Sequence, residues 1–345
     1  MFKRFVWFVC VVLLAGGGGA WWIRGRLVAP YRNFMGDEVF VEIPSGTGVA
    51  GIAARLAEAG VVPDSLTFRL AARLSGGDRR LQAGEYRFAE PASPVDIVAR
   101  LARGDVFSRG LTFPEGLTMA EMGAIFERSG IGSAADFVAA GQHGAAIRDF
   151  DPEAENLEGF LFPDTYALPR SAGAVGTVQV MVDRFKQAFD ANLRAAAIAA
   201  KMSPREVVTL ASLVEKETAA DDERALIAAV YRNRLKIGMA LQCDPTVIFA
   251  LMKARRWHGN LTRDDLQINS PYNTYRFRGL PPGPIASPGR RSMEAVVHPA
   301  DVPYLYFVSR NDGTHAFAAT LGEHNRNVRR WQVEYFQQKR RQVGR

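Results

Sequence analysis

Cysteine is nearly absent. Cys10 and Cys243 are the only two in 345 residues, which excludes a disulfide-stapled scaffold. Cys10 sits in an apolar run, a poor position for pairing with Cys243, so the count does not argue against an extracytoplasmic location. Histidine is sparse too, and His143, His258, His298, His315 and His324 show no metal-ligand spacing. No glycine-rich loop leads into a Lys-Ser/Thr pair that would cradle a phosphate, since Gly16–Gly19 lies inside the apolar N-terminal stretch, and no serine nucleophile elbow occurs. These absences set aside metal, P-loop and serine-hydrolase chemistry, and no cofactor is expected.

Acidic residues are scarce only at the two ends. Residues 1–34 carry five basic side chains and no acid, and residues 326–345 carry seven against Glu334 alone. The total is +7, so the body between them is left acidic by four. That distribution argues against nucleic acid as a partner. The tail, with Trp331, Tyr335 and Phe336 among its charges, reads as a solvated terminal helix or as a contact for anionic lipid or polymer.

Phe5 to Ile23 contains no charge. Nineteen helical residues span about 28 Å, close to the hydrocarbon thickness of a bilayer, and Trp21 and Trp22 stand at the end of the run, where indoles favour the interface. Gly18-Gly19-Ala20 offers small residues for signal cleavage, but the run exceeds a signal core of about 7–15 residues, so a retained anchor is expected. Flanking charges barely discriminate its orientation. A cytoplasmic N-terminus with the body outside the cytoplasmic (inner) membrane is expected mainly from the substrate class reached below.

The pattern predicts an α+β protein: a transmembrane helix, a small βααβ module and a larger mixed α/β domain. The segments are an anchor at 1–26, a linker at 27–37, the module at 38–110, a connecting helical region at 111–150, the chemical domain at 151–325 and a basic tail at 326–345. Val39–Ile43 alternates as a strand, helices start at Thr47 and at Pro63-Asp64-Ser65, Gly84 to Phe88 closes the unit as a strand, and a helix runs over Val95–Ala102. This unit resembles a LysM module, a fold that binds N-acetylglucosamine chains; a structural spacer is the rival reading. An echo follows seventy residues later, where Pro44-Ser45-Gly46, Gly60 and Val61 match Pro114-Glu115-Gly116, Gly130 and Ile131, with Thr118 and Glu121 forming a capping box. Further predictions are a long helix over 174–199 and a buried strand over Tyr304–Val308.

Ser203-Pro204-Arg205-Glu206 is a strong helix start: a serine cap, proline in the first turn and a capping box. The helix runs to Glu215-Lys216-Glu217-Thr218. At about 100° per residue, Glu217 falls in the middle of the stripe formed by Val207, Leu210, Leu213 and Val214, and Glu215 falls on its flank. A carboxyl in an apolar setting has its charged form disfavoured, which suits a general acid working near neutral pH. The plainer alternative is an ion pair with Arg224 or Arg232. Downstream loops rich in proline and glycine carry Asp244, Thr246, Asn273, Thr274 and Tyr275, side chains of the kind that bind sugar hydroxyls and ring faces, or that serve in turns.

Glu158-Gly159-Phe160 to Asp164-Thr165, Ala211 to Thr218, Leu241 to Thr246, Tyr272 to Tyr275 and Gly279 to Ile285 together resemble the MltG (YceG-like) family of endolytic murein transglycosylases. Tyr304 to Phe307, His315-Ala316-Phe317 and His324-Asn325 fit the same pattern, while Cys243 departs from the polar residue expected there. The resemblance implies Glu217 as catalytic residue, and the side-chain types on the loops make Asp244, Thr246, Asn273, Thr274 and Tyr275 the expected substrate-binding residues. It implies cleavage of the β-1,4 bond between N-acetylmuramic acid and N-acetylglucosamine in nascent strands, leaving 1,6-anhydro ends. The implied partners are peptidoglycan glycan strands, the membrane and peptidoglycan synthases. A hydrolytic muramidase, with Asp164 or Asp244 as second carboxylate, and a non-catalytic wall-binding scaffold are the alternatives.

Overall fold

The computed structural model describes residues 7, 17–19, 21–169 and 172–343. Most of the expected anchor lies outside those residues. Among the described residues no helix is long and apolar enough to cross a membrane. The chain divides into two units, one up to Arg109 together with Ala167–Arg170, the other Gly110–Tyr166 with Ser171–Arg345.

In the first unit, β1 (Val39–Ile43) pairs antiparallel with β2 (Gly84–Phe88), Val41 facing Tyr86. Between them come α1 (Val49–Glu58) and α2 (Ser65–Leu74), and α3 (Pro94–Arg103) follows. Asp64 and Ser93 cap α2 and α3 by accepting from Thr67 and Asp96 N–H groups. Strand alternation and helical spacing send Val41, Ile43, Ile52, Leu56, Phe68, Tyr86, Ile97 and Leu101 into one core. The βααβ order matches the sequence pattern.

The second unit opens by repeating that pattern. β3 (Arg109–Thr112) pairs with β4 (Thr165–Leu168), and α4 (Met119–Arg128) and α5 (Ala134–Gly141) stand between them in the chain. α4 lies seventy residues after α1, residue for residue, and Gly60 and Gly130 both hold left-handed backbone after the first helix of their pair. The Thr118–Glu121 capping box closes in both directions. The predicted helix over 174–199 is instead two helices, α6 (Gly173–Ala188) and α7 (Ala191–Ala199). Asp190 adopts extended backbone and its carboxylate accepts from the Leu193 N–H at 2.9 Å, which starts a new helix. Phe150, Phe160, Phe185 and Phe189 pack edge to face and offset beside this break.

α8 (Pro204–Glu217), α9 (Asp221–Lys236), α10 (Asp244–Lys253) and α11 (Arg290–Val297) form the helical centre, with α11 packed on both α8 and α9. β5 (Tyr306–Ser309) and β6 (His315–Ala318) make a hairpin. β5 begins two residues later than the alternation suggested and is half-buried rather than buried. A last helix, α12 (Leu321–Val328), continues through a π-type stretch into Tyr335–Val343, and Asn311 and Gln332 tie it to the hairpin through Trp331 and Ser309 carbonyls.

Two loops are fixed against this centre. Arg205 grips the buried Asp151 carboxylate at 2.9 and 3.0 Å and donates to the Pro282 carbonyl, so the first turn of α8 holds both segments. Gly159 has φ of 81°, and a Cβ there would meet the Pro284 ring at 2.3 Å. Gly159→Ala therefore combines left-handed strain with a clash against the rigid Pro284 ring and costs about 2–4 kcal/mol. A thermal melt that coincides with wild type would contradict this.

Candidate active site

Glu217 is the last residue of α8, and Thr218 leaves the helix in extended conformation. The seven apolar or small residues Val207, Val208, Leu210, Ala211, Ser212, Leu213 and Val214 are buried, which fixes the rotation of α8. Its end then presents a half-buried Glu217 carboxyl. The Tyr231 hydroxyl, from the buried stripe of α9, donates to Glu217 Oε1 at 2.7 Å. Burial raises the Glu217 pKa above the ordinary carboxyl value. Hydrogen bonds from Tyr231 and from the Cys243 thiol oppose that shift, the Asp244 charge adds to it, and His315 counters it. Burial likewise pushes the Cys243 thiol up, so it stays a neutral neighbour.

The two glutamates of α8 have separate duties. The flank that carries Glu215 is covered by α11 rather than by solvent, so the Glu215 side chain is only 6% exposed, contrary to a simple reading of the helical wheel. Its Oε2 accepts from the Gly289 N–H at 2.9 Å and the Ser292 hydroxyl at 2.7 Å, and Arg224 reaches Oε1 at 3.5 Å. Arg224 thus pairs with Glu215, not Glu217. Arg232 donates to the Val296 and Ala200 carbonyls and is also no partner of Glu217.

The sequence-predicted loop residues divide into two groups. Asp244 is exposed at the start of α10, and the Tyr275 hydroxyl donates to its Oδ1 at 2.5 Å. Thr246, Asn273 and Thr274 do not face a cleft: each is at most 1% exposed. Asn273 donates to the Leu266 and Ile268 carbonyls, both at 2.9 Å, and accepts from the Tyr275 N–H. Thr246 donates to the Cys243 carbonyl and its hydroxyl meets that of Thr274 at 2.9 Å; the Thr274 hydroxyl also accepts from the Cys243 N–H. These three are held by backbone and by each other, and their effect is to place Cys243, Asp244 and Tyr275. Asp164 is engaged by Arg184 at 2.7 Å, which lowers its pKa. Asp244 is the carboxylate whose charge reaches Glu217.

Three further contributors surround these groups. Tyr231 reads in sequence as one more core aromatic of α9, and only its hydroxyl contact reveals its role. Arg234 donates to the Leu241 and Leu305 carbonyls, both at 2.6 Å, and so ties the Asp244 loop to the hairpin. Glu223 accepts from the His315 N–H at 2.8 Å and holds its Nδ1 at 2.6 Å, while the Phe307 ring packs edge-on against both His315 and Tyr231. Among the described residues no group of acids, histidines and cysteines has the arrangement to hold a metal ion.

The family model for the YceG-like family matches residues 41–330. The chain belongs to the YceG-like family. Relatives with the same span include the endolytic murein transglycosylase of Bacillus subtilis (strain 168), 31% identical over 324 residues that cover 90% of this chain and 89% of that protein. The endolytic murein transglycosylase of Streptococcus pneumoniae serotype 2 (strain D39) is 31% identical over 94% of this chain and 65% of that longer one. Among solved structures, the 2.6 Å crystal structure of a putative YceG-like protein from Listeria monocytogenes superposes with a TM-score of 0.58 at 30% identity, covering 84% of this chain and 98% of that one. The YceG-like match spans both units, so family membership is a property of the chain as a whole and not of α8 alone.

Proposed function

We propose that this YceG-like chain is an endolytic peptidoglycan lytic transglycosylase in which Glu217 is the acid and base. The observation that carries the reading is a half-buried carboxyl, lifted above its ordinary pKa and aimed by Tyr231, in a chain whose relatives bear that name. Protonated Glu217 donates to the glycosidic oxygen between N-acetylmuramic acid and N-acetylglucosamine. The resulting carboxylate, or the substrate acetamide, then assists attack of the muramyl 6-hydroxyl on its own anomeric carbon. The proton from that hydroxyl returns to Glu217, and a 1,6-anhydro end forms without water. Asp244 and Tyr275 contact the sugar beside the cut, and Thr246, Asn273 and Thr274 hold them in position. Cutting nascent strands in this way limits strand length.

The chain is anchored in the cytoplasmic membrane by its N-terminal apolar run, with the N-terminus cytoplasmic and the body outside. It works beside peptidoglycan synthases, and the LysM-like module at 38–110 grips the glycan. A water-using muramidase at the same site is the second reading, favoured by the nearness of the Asp244 charge to Glu217. Digestion of purified, uncrosslinked glycan strands by the full chain in detergent separates them. Anhydro-terminated fragments by mass spectrometry are expected; reducing ends would favour hydrolysis, and uncut strands would defeat both.

Tyr231→Phe tests the aim of the carboxyl. The lost hydrogen bond favoured the carboxylate, so the Glu217 pKa rises further and the alkaline limb of the rate profile moves to higher pH. The plateau kcat falls about tenfold as the carboxyl loses its orientation. A profile that is unmoved, or moved to lower pH, would contradict this arrangement.

A further inference from the structure

The motif Leu157-Glu158-Gly159 has no part in the chemistry at Glu217, yet it carries an acid in an unusual place. Glu158 is half-buried, its Oε1 accepts from the Met119 N–H at 2.9 Å, and Oε2 has no hydrogen-bond partner among the described residues. Burial lifts its pKa to about 7, so near neutral pH the group both donates and accepts. It lines a cavity of about 270 Å³ together with the apolar or aromatic Met119, Phe249 and Tyr272 and the polar Gln142 and Lys253. The Phe249 and Tyr272 rings lie 4.9 Å apart, and the Lys253 ammonium stands 4.9 Å from the Tyr272 ring. A concave, largely apolar pocket with a few convergent polar groups and one perturbed acid is the usual form of a small-ligand site.

Its position ties it to the reaction. Asp244 and Lys253 are the first and last residues of α10, about 13.5 Å apart along the helix. One short loop reaches both ends: its Tyr275 touches Asp244, and its Tyr272 packs over Phe249 and under Lys253. We infer that this cavity is a distal subsite for the same glycan, taking an N-acylated amino sugar that bears a carboxylate, several residues from the scissile bond. The sugar's apolar face lies on Tyr272 and Phe249, its amide meets Glu158, and its lactyl or stem-peptide carboxylate meets Lys253. The inference rests on the proposed function. It gives the enzyme a second grip on the strand, and so a minimum length of strand that is cut efficiently.

The test is calorimetric binding of muramyl dipeptide, and of a β-1,4-linked N-acetylglucosamine oligomer without a carboxylate, to the full chain carrying Glu217→Gln. Adding Lys253→Ala is expected to weaken muramyl dipeptide at least tenfold and the neutral oligomer little, and Lys253→Arg to restore binding. Tyr272→Ser is expected to weaken both. Lys253 is exposed, so its substitutions leave the fold intact. In the active chain, Lys253→Ala should raise KM for long strands about tenfold with kcat nearly unchanged. Absent binding to the parent, or equal affinities for parent and Lys253→Ala, would overturn the subsite. If the wild-type chain still cuts glycan in that case, only the subsite fails; if it does not cut, the proposed function fails independently.

Discussion

Glu217→Gln lowers the rate of glycan cleavage at least about a thousand-fold. Glutamine keeps the shape and still accepts from Tyr231, but it has no proton to give to the leaving oxygen. No other acid on the described residues is placed to replace it: Asp164 is bound to Arg184, and Asp244 is exposed and bound to Tyr275. Stability should move the other way. A carboxyl whose folded pKa lies above its ordinary 4.5 makes the folded state hold an extra proton, so stability is lost as pH rises from about 4.5 through the folded value. The glutamine removes that loss, and above neutral pH the variant melts at or above the wild-type temperature. Strand digestion by mass spectrometry and a melt at pH 8 check both halves. A variant that cuts at a tenth of the wild-type rate would place the chemistry elsewhere.

Glu215→Ala, two residues away, gives the opposite pattern. It strands the Arg224 guanidinium, only 7% exposed, and frees the Gly289 N–H at the start of α11 and the Ser292 hydroxyl. Asp221 and Ser292 remain on Arg224 but do not replace the lost buried acceptor. Removing one member of a buried pair costs about 3–5 kcal/mol, and for a body of this size the melting temperature falls about 10 °C. Below the transition, the folded fraction still cleaves strands, because Glu217 and Tyr231 are untouched. A loss of activity with an unchanged melt would reverse the roles assigned to the pair.

Much of this was legible in the residues. The caps at Asp64, Ser93, Thr118 and Ser203 mark helix starts by local chemistry, and local chemistry survives folding. The seventy-residue echo reappears in the placement of α1 and α4 because turn glycines set both. The helical wheel set Glu217 towards the core side, and its carboxyl is half-buried there. It failed for Glu215, because a wheel cannot know that α11 covers the flank. The loop residues divided into two groups for a related reason. Asparagine and threonine satisfy backbone as readily as they bind sugar, so sequence alone could not send Asn273, Thr246 and Thr274 to the protein and Asp244 to the surface. Tyr231 and the Glu223–His315 pair depend on long-range packing of α9 against the hairpin, which no local pattern records. The break at Phe189-Asp190 was readable in principle, as an aspartate three residues before a helical N–H, but apolar spacing on both sides masked it.

The proposed chemistry depends most on the protonation of one carboxyl. Isotope-edited carboxyl titration, by ¹³C NMR of glutamate-labelled chain compared with its Glu217→Gln variant, reads it directly. The expected difference is one resonance that titrates clearly above the ordinary glutamate value of 4.5 and vanishes in the variant, while the Glu158 signal, titrating at about 7, remains in both. If the resonance lost in the variant titrates at or below 4.5, Glu217 is ionised at neutral pH and has no proton to deliver.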